Sequence, residues 1–188
     1  MKTLVIHPYD RSTDFLKKIY EGKDWTIITD HDACRSRKVI TNLIKKHDRI
    51  GMMGHGSPQG LFYTCINSDM VDLLRQKECV CIWCNADKFV ERYGLRGFYT
   101  GMFISEVGEA SYYGIKVLQD EVDYSNVLFA MELNKVIDDE NVHSLIKESY
   151  KGLFENEVIR FNNARLYYRD DTFSFPSQKN TKEDLLIF

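Results

Sequence analysis

Proline is scarce, with three in 188 residues, and no stretch rich in proline, glycine or serine divides the chain. One domain is expected over 1–188, read as a core over 1–137 followed by a helical extension and tail over 138–188. Long hydrophobic runs are also missing. None approaches the ~20 apolar residues of a membrane span, and the opening "MKTLVIHPYD" holds only about four before a His-Pro, too few for a signal segment. The expectation is therefore no membrane partner and a cytoplasmic location. Positive charge is not in excess: 25 Lys and Arg stand against 28 Asp and Glu, a formal net charge of −3. Without clustered basic residues to replace phosphate counterions, no nucleic-acid partner is expected. No glycine-rich phosphate cradle of the GxGxxG or GxxxxGK[ST] kind occurs, which argues against a nucleotide-binding module. The cysteines are five, an odd number without framework spacing, as expected of reduced thiols rather than a disulfide scaffold.

What is present is a regular alternation. Short β-rich runs, "TLVI" (3–6), "WTIIT" (25–29), "RIGMM" (49–53), "CVCIW" (79–83) and "GMFIS" (101–105), alternate with helical patterns. Phe15, Leu16, Ile19 and Tyr20 recur at helical spacing, with Ser12 as the expected cap and Gly22 as the close. Val39, Ile40, Leu43 and Ile44 share one face, as do Met70, Val71, Leu73 and Leu74. This is the pattern of a parallel sheet covered on both faces, so the expected fold is a three-layer α/β/α sandwich with a mostly parallel sheet of five or six strands. From about residue 123 the pattern becomes helical, with Val127, Leu128, Met131 and Val136 as the expected buried stripe, and it continues so through "ENEVIRFNNARLYY". The closing "DDTFSFPSQKNTKEDLLIF" reads as an edge strand or a docked tail.

In open α/β sheets, chemistry collects at the carboxyl ends of the strands. Those ends carry His7; Asp30, His31 and Asp32; His55; Cys84 with Asp87; and Ser105 with Glu106. Consecutive parallel strands are usually neighbours, about 4.8 Å apart, so "RIGMMGHGSPQGLF" and "ECVCIWCNADKF" are expected to leave the sheet together with His55 beside Cys84. A nearby imidazole makes a thiol useful as a nucleophile. Gly54 and Gly56 permit a sharp turn around the histidine, and the Gly56 and Cys84 amides are natural donors to an oxyanion.

A buried strand ending in His-Gly, then a helix, then a buried strand ending in Cys resembles the caspase-like cysteine peptidases, the group of gingipains, separases, metacaspases and CHAT-domain proteases. "IGMMGHGSPQGLF" is similar to the His-Gly block, "CVCIWCNAD" to the Cys block, and "GFYTGMFISEVGEA" to the strand and loop that line the pocket for the residue before the scissile bond. The resemblance covers roughly 1–137. It implies a caspase-like sheet with extra C-terminal helices, His55 as general base or acid, Cys84 as nucleophile, a peptide or protein substrate and no required cofactor. Asp87, Glu106 and Glu109 are the candidate pocket residues and would favour a basic side chain before the cut.

Other readings remain open. Cys84 could be a buried structural thiol and the chain a catalytically silent scaffold of the same type for protein interaction, with Trp83 filling the substrate slot. Cys81-Ile-Trp-Cys84 spells CxxC, but residues three apart on a strand face opposite ways, which argues against a redox pair. His7, Asp30, His31, Asp32 and His55 could hold a metal for hydrolysis, although no H-E-x-x-H block occurs. "TDHDACRSR" reads equally well as a polar loop before a helix, with Asp32 or Ser36 as cap. A homodimer through an open sheet edge is a further expectation.

Overall fold

In the computed structural model, residues 1–62 and 64–170 are described. Short apolar runs, too brief for helices, make the sheet. β1 (Thr3–Ile6) is buried along its length and takes β2 (Thr26–Ile28) on one side and β3 (Arg49–Met53) on the other, both parallel. β4 (Gly56–Ser57) and β5 (Gly60–Leu61) form a separate small hairpin. β6 (Glu78–Ile82) pairs parallel with β3, and β7 (Arg96–Thr100) parallel with β6. β8 (Leu166–Arg169) closes the sheet antiparallel to β7, giving the order β2-β1-β3-β6-β7-β8.

Helices cover both faces. On one lie α1 (His31–Arg35), α2 (Arg37–Lys45), α3 (Val71–Leu74) and α4 (Ala86–Tyr93), packed over Leu4, Ile50, Met52, Cys81 and Trp83. On the other lie a 3-10 helix (Arg11–Ile19) and the long α6 (Gln119–Val136), with α7 (Val142–Ser149) and α8 (Glu157–Asn163), over Val5, Met53, Val80, Ile82 and Phe98. The short α5 (Val107–Tyr112) sits at the carboxyl end of the sheet, where Ile104, Ala110, Val122 and Val158 make a third, small cluster. This is a three-layer α/β/α sandwich on a mostly parallel six-stranded sheet. Trp83, Phe89, Phe98 and Phe129 are among its fully buried aromatics, each contributing about 1.5–3 kcal/mol by burial. Among the described residues, no helix is long and apolar enough to cross a membrane.

Several elements differ from the sequence expectation, each for a physical reason. The strand expected over 101–105 is instead β7, which pairs with β6 from Glu78–Arg96 to Cys81–Tyr99, and only glycine fits at Gly97 (φ +115°), where a Cβ would lie 2.1 Å from the Cys79 carbonyl oxygen. β2 is an edge strand and is half exposed rather than buried on both sides. The first helix is capped by Asp10, not Ser12; the Asp10 carboxylate accepts from the Ser12 amide at 2.9 Å. "DHDACR" is helical rather than a polar loop, with Asp30 capping α1, while Ser36 caps α2 as expected. The buried stripe of α6 is Val122, Ser125, Asn126, Phe129, Ala130 and Leu133, while Met131 is exposed. Ser125 is satisfied in burial by Tyr150 Oη at 2.7 Å, and Asn126 in part, since its Nδ2 donates to Ser105 O at 2.9 Å while its Oδ1 is buried with no partner among the described residues. "LYYR" is the strand β8 rather than helix, since it supplies the partner that β7 needs. The closing polar segment, where an edge strand or docked tail was expected, lies outside the described residues from Asp171 onward.

Candidate active site

β3 and β6 are neighbours in register, with Met53 opposite Ile82, and the ladder runs one bond further as Gly54 N donates to Ile82 O at 3.0 Å. His55 and Cys84 each follow two residues later. Both lie just beyond the carboxyl ends of neighbouring strands, His55 reaching the 3-10 helix and Cys84 the segment that carries Phe103 and Glu109. Gly54 (φ +132°) makes the turn out of β3, and the Phe62 ring that a Cβ there would approach at 3.1 Å lies edge-on to the His55 imidazole. After Cys84, Asn85 takes a left-handed conformation (φ 64°) that carries the chain into α4.

The 3-10 helix fixes His55. Asp10 Oδ1 accepts from Ser12 Oγ at 2.6 Å, and the same hydroxyl oxygen lies 2.6 Å from His55 Nε2. Hydrogen bonds from Ser12 hold the Asp10 carboxyl below the usual carboxylate range. With the hydroxyl proton committed to the carboxylate, His55 Nε2 must be the donor to Ser12, which leaves the lone pair of the neutral ring on Nδ1. In a serine triad the carboxylate takes the ring N–H and the serine gives its proton to the ring. Here the order is reversed, so Ser12 positions His55 and is not itself an activated nucleophile.

Cys84 is held from another side. Its Sγ donates to Phe103 O at 3.4 Å and to Glu109 Oε1 at 3.6 Å. Burial, and then the Glu109 carboxylate, push this thiol up to about 12. Among the described residues, no hydrogen bond joins Cys84 to His55, and the Cys84 amide has no acceptor. Gly56, the other expected oxyanion donor, lies in β4 against the Trp83 indole. Trp83 is buried in the α1–α4 layer with its Nε1 donating to Ser57 O at 3.0 Å, so it anchors the histidine loop.

A cleft of about 650 Å³ opens between the 3-10 helix and α6, lined by Ser12, Phe15, Ser105, Glu106, Asp123 and Asn126 among others. Ser12 is the partner of His55, and Ser105 is a partner of Glu109. Of the three expected pocket residues, Glu106 lines this cleft. Glu109 turns inward to Cys84. Asp87 is on α4, in the opposite layer, with Oδ1 buried and unpartnered and Oδ2 3.4 Å from Lys88 Nζ.

The other strand tips are occupied separately. His7 is buried, with Nδ1 2.9 Å from Tyr20 Oη and Nε2 3.3 Å from Thr13 Oγ1, and burial lowers it to about 4. His31 Nε2 lies 2.6 Å from Tyr9 O, and Asp30 caps α1. Among the described residues, no three His, Cys, Asp or Glu side chains gather as a metal site. Cys81 is buried in the α1–α4 layer, away from Cys84.

Sequence reasoning missed Asp10 and Ser12 as partners of His55, although Asp-x-Ser before a helical run is a capping signal. It also missed Asn162, which is fully buried. Its Oδ1 accepts from Ile104 N at 2.7 Å and its Nδ2 donates to Ile104 O at 2.9 Å, so α8 pins the segment carrying Ser105 and Glu106. Nothing in a single sequence distinguishes this asparagine from its neighbour Asn163.

No protein-family model matches the chain, no curated protein matches its sequence and no solved structure matches its fold.

Proposed function

We propose that the protein is a cysteine endopeptidase of the caspase-like type, acting on peptide or protein substrates with Cys84 as nucleophile and His55 as its acid–base partner. The observation that carries this reading is the register: Met53 pairs with Ile82 on adjacent parallel strands, and the two reactive residues each follow two positions beyond that pair. In this mechanism His55 Nδ1 takes the Cys84 proton, the thiolate attacks the scissile carbonyl, the oxyanion accepts from the Cys84 and Gly56 amides, and the imidazolium returns the proton to the leaving amine. No cofactor takes part. Glu106 and Asp123 outnumber Arg11 in the lining of the adjoining cleft and so favour a substrate with a basic side chain before the cut. The cytoplasm is the expected setting, where five unpaired thiols persist.

A silent scaffold of the same type for protein interaction is favoured by one observation, the thiol pushed up to about 12 and out of hydrogen-bond contact with His55. The two readings separate in a profile of fluorogenic peptides carrying Arg, Lys or Asp before the reporter group. The peptidase hydrolyses the basic peptides, and both Cys84→Ala and His55→Ala abolish turnover. Hydrolysis that survives Cys84→Ala rejects the cysteine mechanism. No turnover, with no covalent adduct from an arginyl chloromethyl ketone, supports the scaffold.

A further inference from the structure

Glu109 belongs to the first turn of α5 and divides its two oxygens between different tasks. Oε2 accepts from Ser105 N at 2.7 Å, Ser105 Oγ at 3.2 Å and Glu106 N at 3.3 Å, closing the start of the helix. Oε1 accepts from the Cys84 thiol, which also donates to the Phe103 carbonyl. The segment holding these groups is itself tied down, since Asn126 bonds Ser105 O and Asn162 bonds both backbone groups of Ile104. A carboxylate that accepts an S–H hydrogen bond favours the protonated thiol, and only the thiolate is a nucleophile.

We propose that Glu109 is an autoinhibitory latch on Cys84, holding the sulfur as an unreactive thiol until the Glu109 side chain, on the first turn of α5, withdraws. The same turn forms one wall of the cleft, where Ser105, Glu106 and Gly108 face Ser12 and Phe15 of the 3-10 helix. A ligand seated there bears directly on the residues from which Glu109 hangs. When the carboxylate withdraws, the thiol loses its proton to solvent base and the sulfur is freed to react. Glu106 is the other acidic group whose charge raises the Cys84 thiol. Burial acts in the same direction and remains when the latch opens.

The latch is independent of peptide hydrolysis and is tested without a peptide. Iodoacetamide modification of each cysteine is followed by mass spectrometry across a pH series in wild type, Glu109→Gln and Glu106→Gln. Glutamine keeps an acceptor for the Ser105 amide while removing the charge. Each unit of thiol pKa is about a tenfold change in thiolate well below the pKa, so Glu109→Gln is expected to modify Cys84 at least about tenfold faster at mildly alkaline pH. Glu106→Gln is expected to change it far less. Equal rates in wild type and Glu109→Gln, or equal acceleration by both variants, overturn the latch. Infrared spectra of the unaltered protein provide a second measurement should Glu109→Gln fold poorly. A red-shifted S–H stretch that disappears in Cys84→Ala and shifts when the Glu109 carboxylate is protonated at low pH supports the hydrogen bond to Glu109, and a band that does not respond, or one at the free-thiol position, overturns it. Fast alkylation of Glu109→Gln without peptidase turnover upholds the latch and rejects the peptidase reading alone.

Discussion

The Trp83 indole lies directly beneath Gly56, so that a Cβ on Gly56 would stand 2.2 Å from Trp83 Cδ1, while Nε1 of the same ring donates to Ser57 O at 3.0 Å. One aromatic side chain, placed immediately before the candidate nucleophile, thereby holds the loop that carries the candidate base. The separation of His55 from Cys84 is set by packing as well as by strand register.

Gly56→Ala is consequently expected to destabilise the fold and disturb the His55 loop together. The nearest backbone atom, Gly60 O, is 2.8 Å from the same Cβ position, so the residue cannot shift across the hairpin. Overpacking of this kind costs about 1–3 kcal/mol, sometimes more. The check is a urea unfolding series, in which the midpoint falls relative to wild type while Gly108→Ala, whose Cβ meets nothing within 4 Å, produces a much smaller change. Unchanged midpoints for Gly56→Ala would show that the indole does not occupy this position.

The Asp10–Ser12–His55 arrangement predicts a tautomer. Two-bond proton–nitrogen correlation spectra at mildly alkaline pH should show the His55 ring protonated on Nε2, with Nδ1 bearing the lone pair. Ser12→Ala combined with Asp10→Ala removes both acceptors of the Nε2 proton, the hydroxyl and the carboxylate 3.5 Å away, and the two tautomers should then mix. A wild-type ring protonated on Nδ1 contradicts the clamp. If the peptidase reading holds, Ser12→Ala should also lower kcat with less effect on KM, since Ser12 acts through His55.

His7 predicts a pH dependence of stability. Its folded pKa of about 4 lies below the value of about 6.5 expected in the unfolded chain, because burial disfavours the imidazolium. Between those values the unfolded chain binds more protons, so stability rises with pH through the window and is lost on acidification from about 6.5 toward 4. The full difference corresponds to about 3 kcal/mol. Urea midpoints measured from neutral pH downward should fall across this range in wild type. In His7→Gln the slope there should flatten, whatever the variant's own stability. A wild-type midpoint that holds steady down to about pH 4.5 rules out a buried neutral His7.

The sequence by itself determined the three-layer class and the positions of four of the five expected strands, because runs such as "TLVI", "RIGMM" and "CVCIW" can be buried only in a sheet covered on both faces. It also determined that His55 and Cys84 lie just past strand ends, each two residues beyond, and the crossover rule correctly made those strands neighbours. Tertiary structure decided the rest. Whether "TII" is central or an edge depends on what lies beyond it, and whether "RGFYT" is a strand depends on pairing with β6, with a close approach to the Cys79 carbonyl at Gly97, which no local pattern encodes. The partners of the site came from a distance: Asp10 and Ser12 are more than forty residues from His55, and Glu109 is 25 from Cys84. Periodicity reports which face of an element is apolar. Hydrogen bonds between side chains remote in sequence depend on how those faces are finally packed, and only the folded chain shows the imidazole tied to one helix and the thiol to another.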